Sequence, residues 1–227
     1  KDPTVVNTGN NDEIVFVSFD IPMKTVKTAE YDGTVQAEAV NQELFDFRTE
    51  SGTYSSVNDG WILLGTPEEI DEDNNGVSDY KTYVYGYHQV VKAAAEGKDA
   101  VGNPGEDGYQ AAVEAAEATR VPPVFDYIRL ANLVEGQLER EKLRVPVRAY
   151  AIQADFLQSA DNGGGNHNID TEGMMDEAVL SQIFTVFKTQ NQTEDPKTGA
   201  LKGIHGEEGK TAGAGNELDL LGNPRQQ

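Results

Sequence analysis

The run Glu-Ile-Val-Phe-Val-Ser-Phe-Asp-Ile over residues 13–21 constrains the fold more than any other stretch of the chain. β-Branched and aromatic side chains lose rotamer freedom in a helix and pack well on a pleated surface. The run therefore reads as a strand, with Pro22 as its stop. Shorter runs of the same kind recur at residues 43–48, 60–64, 81–88, 124–130 and 145–156. Six candidate strands make the chain mainly β. Tyr83, Tyr85 and Tyr87 alternate with Val84, Gly86 and His88, which puts the three rings on one face of a strand and reads as a half-buried aromatic stripe. In residues 145–156 the alternation is imperfect, and the segment reads as a central strand with a bulge or a register change.

Helical pieces interrupt this pattern. Residues 89–96 and 109–119 are rich in alanine, are separated by Gly102-Asn103-Pro104-Gly105, and end before Val121-Pro122-Pro123. They predict a helical hairpin inserted over residues 89–120. A third, amphipathic helix follows from Met175, Val179, Ile183, Val186 and Phe187 on one face, with Asp176 and Glu177 in the first turn and Lys188 in the last. It is expected to pack on the β domain. Beyond Thr189 the apolar content collapses, so residues 1–190 read as one domain and 191–227 as a flexible acidic, Gly-rich tail.

Charge and composition exclude several functions. With 18 Lys plus Arg against 39 Asp plus Glu, the formal charge of -21 repels nucleic acid and anionic membranes. No window approaches the roughly 18 to 20 apolar residues of a membrane span. The absence of cysteine removes disulfides, thiol nucleophiles and Cys-based zinc sites. The opening at Lys1, with neither an initiator Met nor a signal peptide, reads as a processed or trimmed start.

The sharpest local motif is Asp71-Glu72-Asp73-Asn74-Asn75-Gly76-Val77-Ser78-Asp79. Oxygen-bearing side chains at Asp71, Asp73, Asn75 and Asp79, the main-chain position of Val77 and the glycine at the sixth place match the first three quarters of an EF-type calcium loop. Thr82 stands where the closing bidentate Glu belongs, so a plain acidic turn between two strands is the alternative. If a metal binds, hard oxygen ligands select calcium over zinc.

Catalytic patterns are weak. His88, His167 and His205 form no close ligand pair, and Ser55, Ser56 and Ser181 lack a nucleophile elbow. No phosphate-binding glycine loop is present, and the chain is expected not to be an enzyme.

Several phrases combine in order: the Lys1-Asp2-Pro3-Thr4-Val5-Val6-Asn7-Thr8-Gly9-Asn10 opening, Glu43-Leu44-Phe45, Trp61-Ile62-Leu63-Leu64 and Tyr83-Val84-Tyr85-Gly86-Tyr87. Pro122-Pro123-Val124-Phe125-Asp126, Ala131-Asn132-Leu133-Val134-Glu135-Gly136-Gln137 and Val147-Arg148-Ala149-Tyr150-Ala151-Ile152-Gln153-Ala154 follow. Over residues 1–157 this set resembles the TasA/camelysin family, exported proteins of Gram-positive bacteria. The resemblance implies a jelly-roll β sandwich, secretion to the extracellular matrix or cell surface, and self-association, or association with related matrix subunits, into biofilm fibres. Family fibres form by donor-strand exchange, a form of β-augmentation. The family's donor segment precedes the Lys-Asp-Pro opening, so the chain as given is expected to be mainly monomeric. Camelysin members have been classed as metallopeptidases, which makes that activity the alternative, although no zinc ligand set is recognisable here. An adhesive or carbohydrate-binding sandwich is a third reading and needs exposed aromatics such as Trp61 or Tyr109, of which Trp61 reads better as core.

Overall fold

The strand expected at residues 13–21 extends over Glu13–Val26 and is buried without interruption from Ile14 to Met23. A computed structural model describes residues 4–30, 32–47, 57–94, 113–114, 116–138, 142–154 and 174–191. In chain order the elements are β1 (Val5–Val6), β2 (Glu13–Val26), β3 (Val40–Glu43), β4 (Phe45–Asp46), β5 (Trp61–Leu63) and β6 (Glu68–Ile70). They continue with β7 (Tyr80–Tyr87), β8 (Arg120–Val121), β9 (Arg129–Leu130), β10 (Val147–Gln153) and α1 (Glu177–Asn191). The fold is mainly β. The principal sheet runs β10-β2-β7-β5, with β3 also paired to β2 and β6 to β7, and two short ladders join β1 to β8 and β4 to β9. Every ladder is antiparallel.

Pro22 does not stop β2, contrary to the sequence expectation. Asp20 N–H donates to Pro146 O, while Pro22 O accepts from Leu44 N–H on the same edge. The ring therefore falls where β2 exchanges its neighbour β10 for β3, at a place where no main-chain donor is required.

β2 divides two cores because alternate side chains point to opposite faces. Val15, Val17, Phe19 and Ile21 join Tyr83, Tyr85, Phe47 and Trp61 on one face. There the Phe19 ring stacks at 5.7 Å on Tyr83 and 5.6 Å on Tyr85 and meets Phe47 edge-on at 4.9 Å, which are favourable aromatic geometries. Ile14 and Phe16 join Leu180, Ile183 and Phe184 of α1 on the other. Tyr83 and Tyr85 are thus core and Tyr87 half-buried, with Tyr83 fully buried and its hydroxyl donating to Glu43 at 2.7 Å.

The third helix forms as expected and packs on the sheet. Asp176 caps it by accepting from Val179 N–H at 2.9 Å. Its buried stripe is Val179, Leu180, Ile183 and Phe184, so Leu180 and Phe184 take the place that Val186 was expected to hold. Close approach depends on Gly86, where an added Cβ would lie 3.1 Å from Leu180 Cδ1 and 3.3 Å from Phe16 Cδ1.

Other expectations are corrected. Residues 89–93 are extended rather than helical: Val91 bridges Glu13 and Gln89 bridges Met174. Val90 is buried in the helix-side core and Val91 in the opposite one, so period-two burial overrides the helix propensity of the alanines that follow. Of the second helical arm, residues 113, 114, 116 and 117 are helical, and residues 95–112 lie outside the described residues. The run at 43–48 breaks at Leu44, because Glu43 pairs with Met23 whereas Phe45 pairs with Leu130. Residues 124–130 contribute only the two-residue β9 and a bridge from Phe125 to Val57. β10 lies at the sheet edge in unbroken register, Val147 to Phe19 through Gln153 to Glu13, with neither a bulge nor a central position. The 191–227 tail, His167 and His205 lie outside the described residues, apart from Asn191 at the end of α1.

Replacing Leu180 with Ala removes a fully buried side chain at the contact between α1 and Gly86. It should cost about 2–5 kcal/mol. Urea unfolding should show the midpoint falling with an unchanged slope.

Candidate functional site

The acidic motif forms the connection between β6 and β7. Asp79 N–H donates to Ile70 O at 2.7 Å and closes the hairpin, while Asn74 (φ 57°) and Gly76 (φ 86°) take left-handed conformations that turn the chain back. Asp71 accepts from Asn75 N–H at 3.1 Å and Gly76 N–H at 2.7 Å, and Asp73 accepts from Asn75 N–H at 3.1 Å. Asp79 accepts from Glu72 N–H at 3.0 Å. These turns gather one carboxylate oxygen each from Asp71, Asp73 and Asp79 within 4.8 Å of one another.

Of the five sequence-predicted ligands, the structure groups those three. Asn75 is in the same turn, but its Oδ1 accepts from Val77 N–H at 2.8 Å and its amide donates to Asp73 at 2.9 Å. Val77 is an exposed residue of the loop. Thr82, at the twelfth place, points away into β7 and donates to Asp20 at 2.8 Å. Each carboxylate oxygen that accepts an N–H retains a second lone pair. A hard cation could therefore be held by Asp71, Asp73 and Asp79 with waters completing the shell. Desolvation pushes the Asp71 carboxyl up, but the Gly76, Asn75 and Asn74 amides and an Asp73 hydrogen bond outweigh it and hold the group below the usual aspartate range.

A second feature was missed by sequence reasoning. An apolar groove of about 320 Å³ opens beside β10, lined by Val5, Val17, Phe19, Trp61, Val147 and Ala149. Asp20 N–H to Pro146 O and Ala154 N–H to Asp12 O identify the even-numbered residues of β10 as the ones hydrogen-bonded to β2. The main-chain groups of Val147, Ala149 and Ala151 consequently face the far edge, which no strand pairs among the described residues. The opposite side of the sheet differs: β6 carries exposed Glu68 and Glu69, charges of the kind that discourage strand addition. The only sequence signal for the open edge was the small, uncharged Ala149 and Ala151 in the outward register.

Trp61 is buried and donates its indole N–H to Pro122 O at 3.0 Å, and Tyr83 and Tyr85 are core, so none of these three rings is an exposed aromatic of the kind an adhesive surface needs. Tyr109 lies outside the described residues. His88 follows β7, its main chain pairing with Gly60 O and Met175 N–H. Among the described residues no helix is long and apolar enough to cross a membrane. No protein-family model, curated protein or solved structure matches the chain.

Because the Asp71 carboxyl has a lowered folded-state pKa, the stability it contributes is complete above the unfolded-state value, about 3.9. That contribution is lost as pH falls through the lower folded-state value. A carboxyl-carbon NMR titration should place Asp71 below an ordinary aspartate. An Asp71 that titrates as an ordinary aspartate would contradict this turn.

Proposed function

We propose that the chain is a secreted structural subunit of extracellular or cell-surface fibres, built as a jelly-roll β sandwich that is completed by a strand from a neighbouring subunit. The observation that carries the reading is the β10 edge, unpaired among the described residues, beside an apolar groove. An extended segment laid there would pair with the outward groups of Val147, Ala149 and Ala151 and send alternate side chains against Phe19, Val17 and Trp61. The groove also reaches β1 through Val5 and Val6, so such a strand would link the edge of the principal sheet to the β1–β8 ladder. The formal charge of -21 makes subunits repel, and association should strengthen as salt shortens the Debye length from about 10 Å at 0.1 M.

The test uses proline at Ala151, an exposed edge residue whose N–H faces away from β2. Proline is tolerated at such a position but cannot donate to an incoming strand. The gene should be expressed with whatever it encodes ahead of Lys1, and light scattering and negative-stain microscopy should then find elongated oligomers. The Ala151→Pro protein should fold with the same circular dichroism and remain monomeric. Fibres from the proline variant equal to those of the parent would refute augmentation at β10.

Calcium is proposed as a ligand of the β6–β7 loop. Titration into chelator-stripped protein should raise the melting temperature by mass action. Replacing Asp71 and Asp73 with Ala should abolish the shift, and no shift at millimolar calcium would reduce the loop to a turn.

A further inference from the structure

On the α1 side of the principal sheet, three neighbouring strands change from apolar to polar at the same level. β2 passes from Ile14 and Phe16 to Ser18 and Asp20, β7 from Val84 to Thr82, and β10 from Ile152 to Arg148. Ser18, Asp20 and Thr82 are buried. Arg148 donates to Asp20 at 2.6 Å, Thr82 donates to the same carboxylate at 2.8 Å, and the Ser18 and Tyr150 hydroxyls lie 3.3 Å apart. The Arg148 and Asp20 side chains are 15% and 6% exposed, so this is an interior ion pair.

We infer that Asp20 and Arg148 are positioning residues that lock the register of β10, the strand whose outer edge the fibre reading makes the docking site. A slip by one residue is already forbidden, because it would turn the side chains of β10 to the wrong faces. Slips by two preserve the faces. In one direction Gln153 would move from Glu13 to Val15, placing an amide against the apolar core. In the other, Val147 would face Val17 and Ala149 would face Val15, so on the groove side apolar would still meet apolar. On the α1 side, however, Arg148 would face Phe16, under Leu180 and Phe184, and Asp20 would lose its cation. The ion pair is therefore the main barrier to that slip, which would shift the outward main-chain groups along the groove. Buried ion pairs contribute little net stability relative to apolar replacements, and fixing register is their best-attested use.

The chain contains no cysteine, so introduced pairs report register without interference. Val15 and Ala151 are directly opposed in the native ladder, at a non-hydrogen-bonded pair close enough for a disulfide. Cysteines at 15 and 151 should cross-link in the parent, and cysteines at 15 and 149 should not. In the Asp20→Leu, Arg148→Met double variant the melting temperature should be maintained while the 15–149 cross-link emerges and the 15–151 yield falls. Arg148→Lys should retain the native cross-link. If the double variant folds and cross-links only through 15 and 151, the lock is refuted, and strand acceptance at β10 is untouched. If the double variant does not fold, Arg148→Met decides, because it removes the guanidinium that the slip would press against Phe16: exclusive 15–151 linkage in that folded variant would also refute the lock. Loss of assembly by Ala151→Pro is read separately and bears only on strand acceptance.

Discussion

The burial of β2 on both faces is the constraint from which the rest follows. Ten successive residues, Ile14 to Met23, are withdrawn from water in one strand. That requires a layer on each side and a hydrogen-bonded neighbour on each edge. Phe19 anchors one layer through its ring contacts with Tyr83, Tyr85, Phe47 and Phe125. Phe16 anchors the other against Phe184, 5.1 Å away between ring centres. On one edge β7 pairs with the middle of β2, from Phe16 to Pro22, while on the other β10 and β3 divide the length between them, with Pro22 at the changeover. Past the end of β2 a side chain takes over the role of a strand: Gln137 accepts from Lys27 N–H at 2.6 Å and donates to Lys27 O at 2.7 Å.

The two candidate sites are consequences of this arrangement. β7 must turn back from β6 to reach β2, and the turn is where Asp71, Asp73 and Asp79 converge. Its placement is tied to the core strand, since Met23 N–H donates to Asp79 O at 2.7 Å, and Asn41 of β3 donates its amide to Ser78 O at 2.9 Å. The open edge arises because β10 is, among the described residues, the last strand on its side of the sheet. There the groove-facing side chains Val147 and Ala149 are too small to close the space above Val17 and Phe19. Electrostatics separates the two edges of the same sheet: glutamates guard β6, whereas the outward-register residues of β10 from Val147 to Ala151 carry no charge.

Much of the fold was legible locally. Strands β2, β5, β7 and β10 coincide with apolar runs, α1 with a period near 3.6, and the Asp71 loop with an oxygen-donor spacing that its turn geometry reproduces for three carboxylates. The failures share one cause. Pro22, residues 89–93, the break at Leu44 and the edge position of β10 all depend on which distant segment lies alongside, a matter that local propensity does not encode. Val90 and Val91 illustrate it, since they are adjacent in sequence and buried in different cores.

By itself, the sequence determined that the chain is mainly β, strongly acidic, free of thiol chemistry and equipped with one amphipathic helix, because these properties rest on composition and on periods of two and 3.6 residues. Only the tertiary structure decided that Val90 and Val91 enter opposite cores, that Asp20 meets Arg148 across 128 positions of sequence, and that among the described residues β10 is unpaired on the edge beside a groove. Each of these is a pairing between segments far apart in the chain. Such pairings are selected by the joint packing of both faces of β2, and they leave no mark in any single stretch of residues.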